Sequence, residues 1–174
     1  MRIVWAGQTA AAVIFLGVLL QLRATGNVGS EVEPVIYYSM AGVSVVVLVV
    51  SVVLPRFLLT SFAKQQKPAI EEELVEEEAL FRQAPKKRRV FAKPDAARSS
   101  ACAAWFTPFV LGMAFAESIV LFGLVLGIMG FGLLEVLPFY VVGWILVGIR
   151  FPRQRPIEAA FEKAHDAVFP ADRG

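Results

Sequence analysis

Residues Thr107 to Phe131 read T-P-F-V-L-G-M-A-F-A-E-S-I-V-L-F-G-L-V-L-G-I-M-G-F, an apolar run interrupted by one carboxylate, Glu117. At about 1.5 Å per residue, a helix of this length crosses a hydrocarbon core of about 30 Å. Thr107-Pro108 has the form of an N-cap followed by proline at the first helical position, so the spacing predicts a helix starting there. Glu117 then falls near the middle of the span. A carboxylate at that depth costs about 2.5 to 3.5 kcal/mol on insertion scales, which makes it the candidate ion-binding residue.

The same run is built for close packing. Gly112, Ala116, Gly123, Gly127 and Gly130 recur at spacings that put them on one helix face. Gly123 and Gly127 form a G-x-x-x-G pair, which lets another helix backbone approach. Glu117 lies about 100° round from Ala116, at the border of this face. It is either a glutamate hydrogen-bonded to a neighbouring helix for structural reasons or a functional group. No span offers a basic partner, so the neutral acid is expected. Its candidate acceptors are Gln8, Ser44 and Ser51, the serines favoured by depth over Gln8, or a backbone carbonyl freed near a glycine.

The stretch Phe109 to Gly130, with Ala116-Glu117 followed by Leu121-Phe122-Gly123-Leu124-Val125, resembles the carboxylate-bearing helix of rotary ATP synthase c subunits, the proteolipids. That resemblance implies that Glu117 handles a proton or a sodium ion. It covers one helix. No glycine-rich partner helix precedes it, and a further hydrophobic span follows. The pattern as a whole is similar to small uncharacterised bacterial membrane proteins with four spans.

Outside this helix the chain is equally apolar. Of 174 residues 57% are hydrophobic and the mean hydropathy is +0.63, above the roughly 45–50% apolar content of soluble domains. Ile3 to Leu22 is a first span, read as an uncleaved helix because no A-x-A cleavage site follows. Val35 to Leu54 is a second span. It is valine-rich, but a lone strand in lipid leaves its backbone groups unpaired, so a helix is required. Leu133 to Ile149 is a fourth span after a tight turn, with Glu135 at the outer interface.

Ala63 to Arg98 is the one long polar stretch. Ile70, Leu74 and Phe81 at helical spacing, among six glutamates from Glu71 to Glu78, predict a short exposed amphipathic helix over Ile70–Phe81. The basic run Lys86, Lys87, Arg88 and Arg89 follows, a candidate contact for lipid headgroups at about 1 kcal/mol per basic residue near the surface. Beyond Arg155, the residues Ile157, Phe161, Ala164 and Val168 predict a second amphipathic helix. His165, the single histidine, is read there as a solvated side chain.

The expected fold is therefore an all-α integral membrane protein. It has four transmembrane helices as two hairpins, with short cytoplasmic amphipathic helices. The divisions are a first hairpin over 1–62, a charged segment over 63–98, a second hairpin over 99–150 and an amphipathic tail over 151–174. The basic residues cluster in 63–98 and in the tail. The positive-inside rule then puts both termini in the cytoplasm of a bacterial inner membrane. One cysteine, Cys102, excludes an internal disulfide, and there is no metal-ligand cluster, cofactor motif, Walker loop or nucleophile elbow. Enzyme activity and nucleic-acid binding are not expected. Two function classes remain. One is a structural or accessory membrane protein packing through its glycine faces, as a homo-oligomer or with a membrane-protein partner. The other is a handler of H+ or Na+ through Glu117.

Overall fold

The computed structural model describes residues 2–26, 29, 33–75 and 86–170. The elements are α1 (Arg2–Ala24), α2 (Pro34–Gln65), β1 (Ile70–Val75), β2 (Lys86–Phe91), α3 (Pro94–Met129), α4 (Leu133–Ile149) and α5 (Gln154–His165). The molecule is mostly helical. Among the described residues, α1, α2 and α3 are long and apolar enough to cross a membrane. With 32 and 36 residues, α2 and α3 measure about 48 and 54 Å, well beyond a hydrocarbon core of about 30 Å. The apolar α4 has 17 residues, or about 26 Å.

The chain divides into two compact units. The first comprises Met1–Arg56 and Pro108–Pro152, and the second Phe57–Thr107 and Arg153–Gly174. Both α2 and α3 contribute residues to each.

The first unit is a helix bundle. Its core includes Ala12, Leu19, Met113, Ala116, Val120, Leu126, Val136 and Tyr140, all 3% exposed or less. Helix ends are closed by backbone and side-chain donors. Gly130, at φ 109°, ends α3 in a Schellman turn, with Phe131 N–H donating to Leu126 O and Gly130 N–H to Gly127 O. Glu135 reaches back to accept from the Gly132 N–H at 2.5 Å, and so opens α4. The Trp5 indole N–H donates to Val147 O at 2.9 Å and covers a carbonyl in the last turn of α4.

The second unit contains a small sheet that the sequence pattern does not predict. Residues 70–75 form a strand instead of the first half of a helix, paired antiparallel with β2; residues 76–81 of that expected helix lie outside the described residues. The register sets Glu72 against Arg89 and Glu73 against Arg88. A helix would instead stack the glutamates three and four apart, each like-charge pair destabilising it by about 0.2–0.5 kcal/mol. Opposite charges across a strand pair favour the hairpin by a similar amount. Val168 is likewise outside the helix expected to hold it. Asp166 adopts a left-handed conformation (φ 49°) and ends α5, and Val168 then bridges Val90 in parallel.

A further correction concerns the start of α3. The helix begins at Pro94, not at Thr107, and runs through Pro108. Its added N-terminal turns put Ala97 and Ala101 into the second unit's core, with Ala63, Phe91, Ile157, Phe161, Ala167 and Phe169. That packing outweighs the hydrogen bond that Pro108 removes. His165 is not simply solvated. Its Nε2 lies 2.9 Å from Ala63 O, so Nε2–H donates, and its ring lies 4.6 Å from that of Phe161.

Candidate membrane site at Glu117

The part of α3 that lies in the first unit has two dissimilar faces. Gly112, Ala116, Gly123 and Gly127 are buried on one of them. A side chain at Gly123 would meet Phe139 Cβ at 2.9 Å, and one at Gly127 would meet Leu19 Cδ1 at 2.5 Å. A side chain at Gly143 of α4 would strike Val120 and lie 3.2 Å from Ala116 O. The small residues of α3 thus sit directly against α4 and, at Gly127, against α1.

Gly112 sits against something the sequence reading does not anticipate. A Cβ there would be 2.6 Å from Arg150 Nε. Arg150, read from sequence as marking the helix exit, folds back into the first unit. It donates to Leu146 O at 3.1 Å, to Ser51 O at 2.5 Å and to Ser51 Oγ at 3.0 Å. The reason lies in α2. Pro55 is inside that helix and has no N–H, so Ser51 O loses its helical donor. The guanidinium supplies the missing hydrogen bond and also covers a terminal carbonyl of α4. A mid-helix proline four residues after a serine is the one sequence signal for such a site.

Glu117 lies about 100° round α3 from Ala116, at the border of that face, and is partly buried. No hydrogen bond or ion pair joins it to another described residue. Two of the three side chains expected as its acceptors are otherwise engaged. Ser44 Oγ donates to Met40 O at 2.8 Å, and Ser51 Oγ donates to Leu48 O at 3.1 Å while accepting from Arg150. Gln8 Oε1 is buried without a partner, as is Tyr140 OH.

Depth is readable from the contacts. Gly127 lies against Leu19, and Arg23 donates to Phe131 O; both pairs are 108 residues apart. The two helices therefore run parallel in one register, and Gln8 falls level with Ala116, next to Glu117. Ser44 lines a groove of about 170 Å³ together with Tyr37, Leu48, Ile119 and Phe139. Gln8, Ser44 and Glu117 thus occupy one layer of the bundle, but no hydrogen bond joins Glu117 to either of the other two.

The basic run is placed separately, in the second unit. Arg88 and Arg89 lie in β2 opposite the glutamates of β1, and Arg89 Nη1 is 3.6 Å from Asp166. Such exposed pairs contribute about 0–1 kcal/mol each and leave the guanidiniums accessible.

Comparison with protein-family models, with curated proteins and with solved structures gives no match to this chain.

Proposed function

We propose that the chain is a four-span membrane protein of structural or accessory type, which works by assembling with another protein in the bilayer. The observation that carries this reading is the two-sided character of α3. Its small residues are used within the chain, against α1 and α4. Its one intramembrane carboxylate lies beside that face without a hydrogen-bond partner among the described residues. Hydrocarbon is a poor environment for that group, whereas a neighbouring helix can supply what it lacks. In this reading α4 is the fourth span, and the second unit lies in the cytoplasm of a bacterial inner membrane, with both termini. Arg88 and Arg89, with Lys86 and Lys87, then lie where anionic headgroups are within reach.

A second reading, proton or sodium-ion handling, draws on the same lack of a partner. A carboxyl held by no internal hydrogen bond is free to gain and lose a cation. It is also the residue matched by the c-subunit resemblance.

Two measurements separate these readings. In a Cys102→Ser background, cysteines at Gly29 and at Lys93 should react with an impermeant maleimide from opposite sides of the membrane. Reaction of both from one side refutes the four-span arrangement. Wild-type and Glu117→Gln proteoliposomes should show equal proton and sodium flux if the protein is accessory. Flux in the wild type that Glu117→Gln abolishes would establish ion handling instead.

A further inference from the structure

We propose that the Arg150 guanidinium binds the phosphate group of a membrane phospholipid at the end of the first unit. This rests on the four-span arrangement above, which makes that end a membrane surface.

Arg150 is held in place with part of its chemistry unused. A guanidinium has five N–H donors and stays protonated in proteins. The hydrogen bonds to Leu146 O, Ser51 O and Ser51 Oγ use at most three of the five, all on Nη1 and Nη2. Nε–H and one N–H of Nη1 have no acceptor among the described residues. Nε packs beside Gly112 but is not sealed in, unlike Arg23 Nε, which is buried without a partner. The three acceptors are neutral, and no carboxylate pairs with Arg150 among the described residues. A full positive charge therefore stands half-buried beside α2, α3 and α4, hydrogen-bonded but not neutralised. Such a charge is costly until an opposite one meets it.

Its position selects the anion. Arg150 lies two residues before Pro152, and Ser51 lies five before Arg56; both Pro152 and Arg56 are limits of the first unit. At about 1.5 Å per residue, the guanidinium is within about 8 Å of that end. Trp5 and Phe151 meet edge to face near the same end, with ring centroids 5.1 Å apart, and the Trp5 indole N–H donates to Val147 O. Aromatic side chains of this kind gather at the headgroup level of a bilayer. The fixed anions at that level are lipid phosphates. Arginine matches phosphate oxygens in charge and in donor geometry, and basic pockets between membrane helices on the cytoplasmic side bind lipid headgroups. Inorganic phosphate offers the same oxygens but must leave water to reach a recessed group. A lipid phosphate is already at the right depth.

The test uses the full chain in a maltoside detergent, which carries no phosphate. Binding of dihexanoyl phosphatidylglycerol is followed by native mass spectrometry, with a dihexanoyl glycolipid as the phosphate-free control. The wild type should show a saturable step with the first lipid and none with the second. The role of Arg150 is read by comparing Pro55→Ala with the double variant Pro55→Ala, Arg150→Met, because alanine at 55 returns a donor to Ser51 O and supports the fold. Loss of Arg150 should weaken phosphatidylglycerol binding by about ten- to a hundredfold, the range of one charge-assisted contact. Lys163→Met, which removes an exposed charge of the second unit, should leave it unchanged. Equal affinity with and without Arg150 would overturn the proposal, and so would equal binding of the glycolipid. Displacement of the lipid by equimolar inorganic phosphate would assign the site to a free anion and overturn the lipid source. A chain that labels as four-span but shows no phosphatidylglycerol step refutes this inference alone, whereas labelling of both cysteines from one side refutes the arrangement beneath it.

Discussion

Arg150→Met should destabilise the first unit by about 2–4 kcal/mol, and Pro55→Ala should relieve part of that loss. Methionine reaches only as far as the Nε position and donates nothing. Three hydrogen bonds disappear, to Leu146 O, Ser51 O and Ser51 Oγ. Ser51 Oγ keeps its bond to Leu48 O, so the damage falls on two carbonyls. Leu146 O is at the end of α4, where water can replace the guanidinium. Ser51 O is inside α2 and has no alternative donor, because residue 55 is proline. An orphaned buried acceptor costs about 1–3 kcal/mol, and the lost bonds are charge-assisted. Alanine at position 55 restores an N–H aimed at Ser51 O. Arg150→Met should therefore cost about 1–2 kcal/mol less in the Pro55→Ala background, within the usual range for residues sharing one network. The cycle needs four proteins, unfolded reversibly with a denaturing detergent in mixed micelles and followed by helical circular dichroism. Equal losses in the two backgrounds would refute the idea that Arg150 replaces the donor removed by Pro55.

Gly112→Ala places a methyl group against Arg150 Nε and should lower stability in the wild type but much less in Arg150→Ala, by the same detergent titration. Gly123→Leu has no room beside Phe139 and Tyr140 and should cost about 1–3 kcal/mol, whereas Gly17→Ala, with nothing within 4 Å, should be neutral or stabilising. Trp5→Phe keeps the ring beside Phe151 but loses the donor to Val147 O, for a loss of about 0.5–1.5 kcal/mol that thermal unfolding in detergent would register. Phe161→Ala empties the centre of the second unit, about 3–5 kcal/mol by analogy with other core aromatics, and trypsin should then cut at Arg88 and Arg89 faster than in the wild type.

The apolar helices were legible because a long apolar run has few ways to pair its backbone groups except within a helix. A run such as Val35 to Leu54 has strand propensity but must be helical in hydrocarbon, and α2 is. The bounds of α4 agree with the apolar run Leu133 to Ile149 for the same reason. Outside the apolar runs that constraint lapses and local rules compete. Thr107-Pro108 carries a good start signal, yet helix continues through it, because the alanines before it have a core to pack against. Ile70, Leu74 and Phe81 have helical spacing, yet the segment from Ile70 to Val75 is a strand. Its partner, Lys86 to Phe91, is distant enough that no local window contains both. Pairing of that kind is a tertiary fact, and a hydrophobic period cannot report it.

The candidate site divides in the same way. Composition alone exposes Glu117, since any carboxylate in an apolar run of that length stands out. The direction in which it faces was harder to read, because its neighbours in the chain, Ala116 and Ser118, are both small. The exposure of Val110, Leu121, Val125 and Ile128 becomes visible only when α1 and α4 take up the glycine face. Arg150 was hidden for a different reason. Read by type, an arginine just after a span belongs to the basic fringe. Its place in the fold depends on a carbonyl that Pro55 leaves without a donor, about a hundred residues earlier in the chain. Prolines in membrane helices therefore carry positional information: the residue four before each one owns a free acceptor. By that argument Ala104 and Leu134, four before Pro108 and Pro138, also need donors from outside their own helices. A helix from a second copy, a lipid headgroup or water can each meet that need, and only at Ser51 does this chain meet it with an arginine of its own among the hydrogen bonds described above.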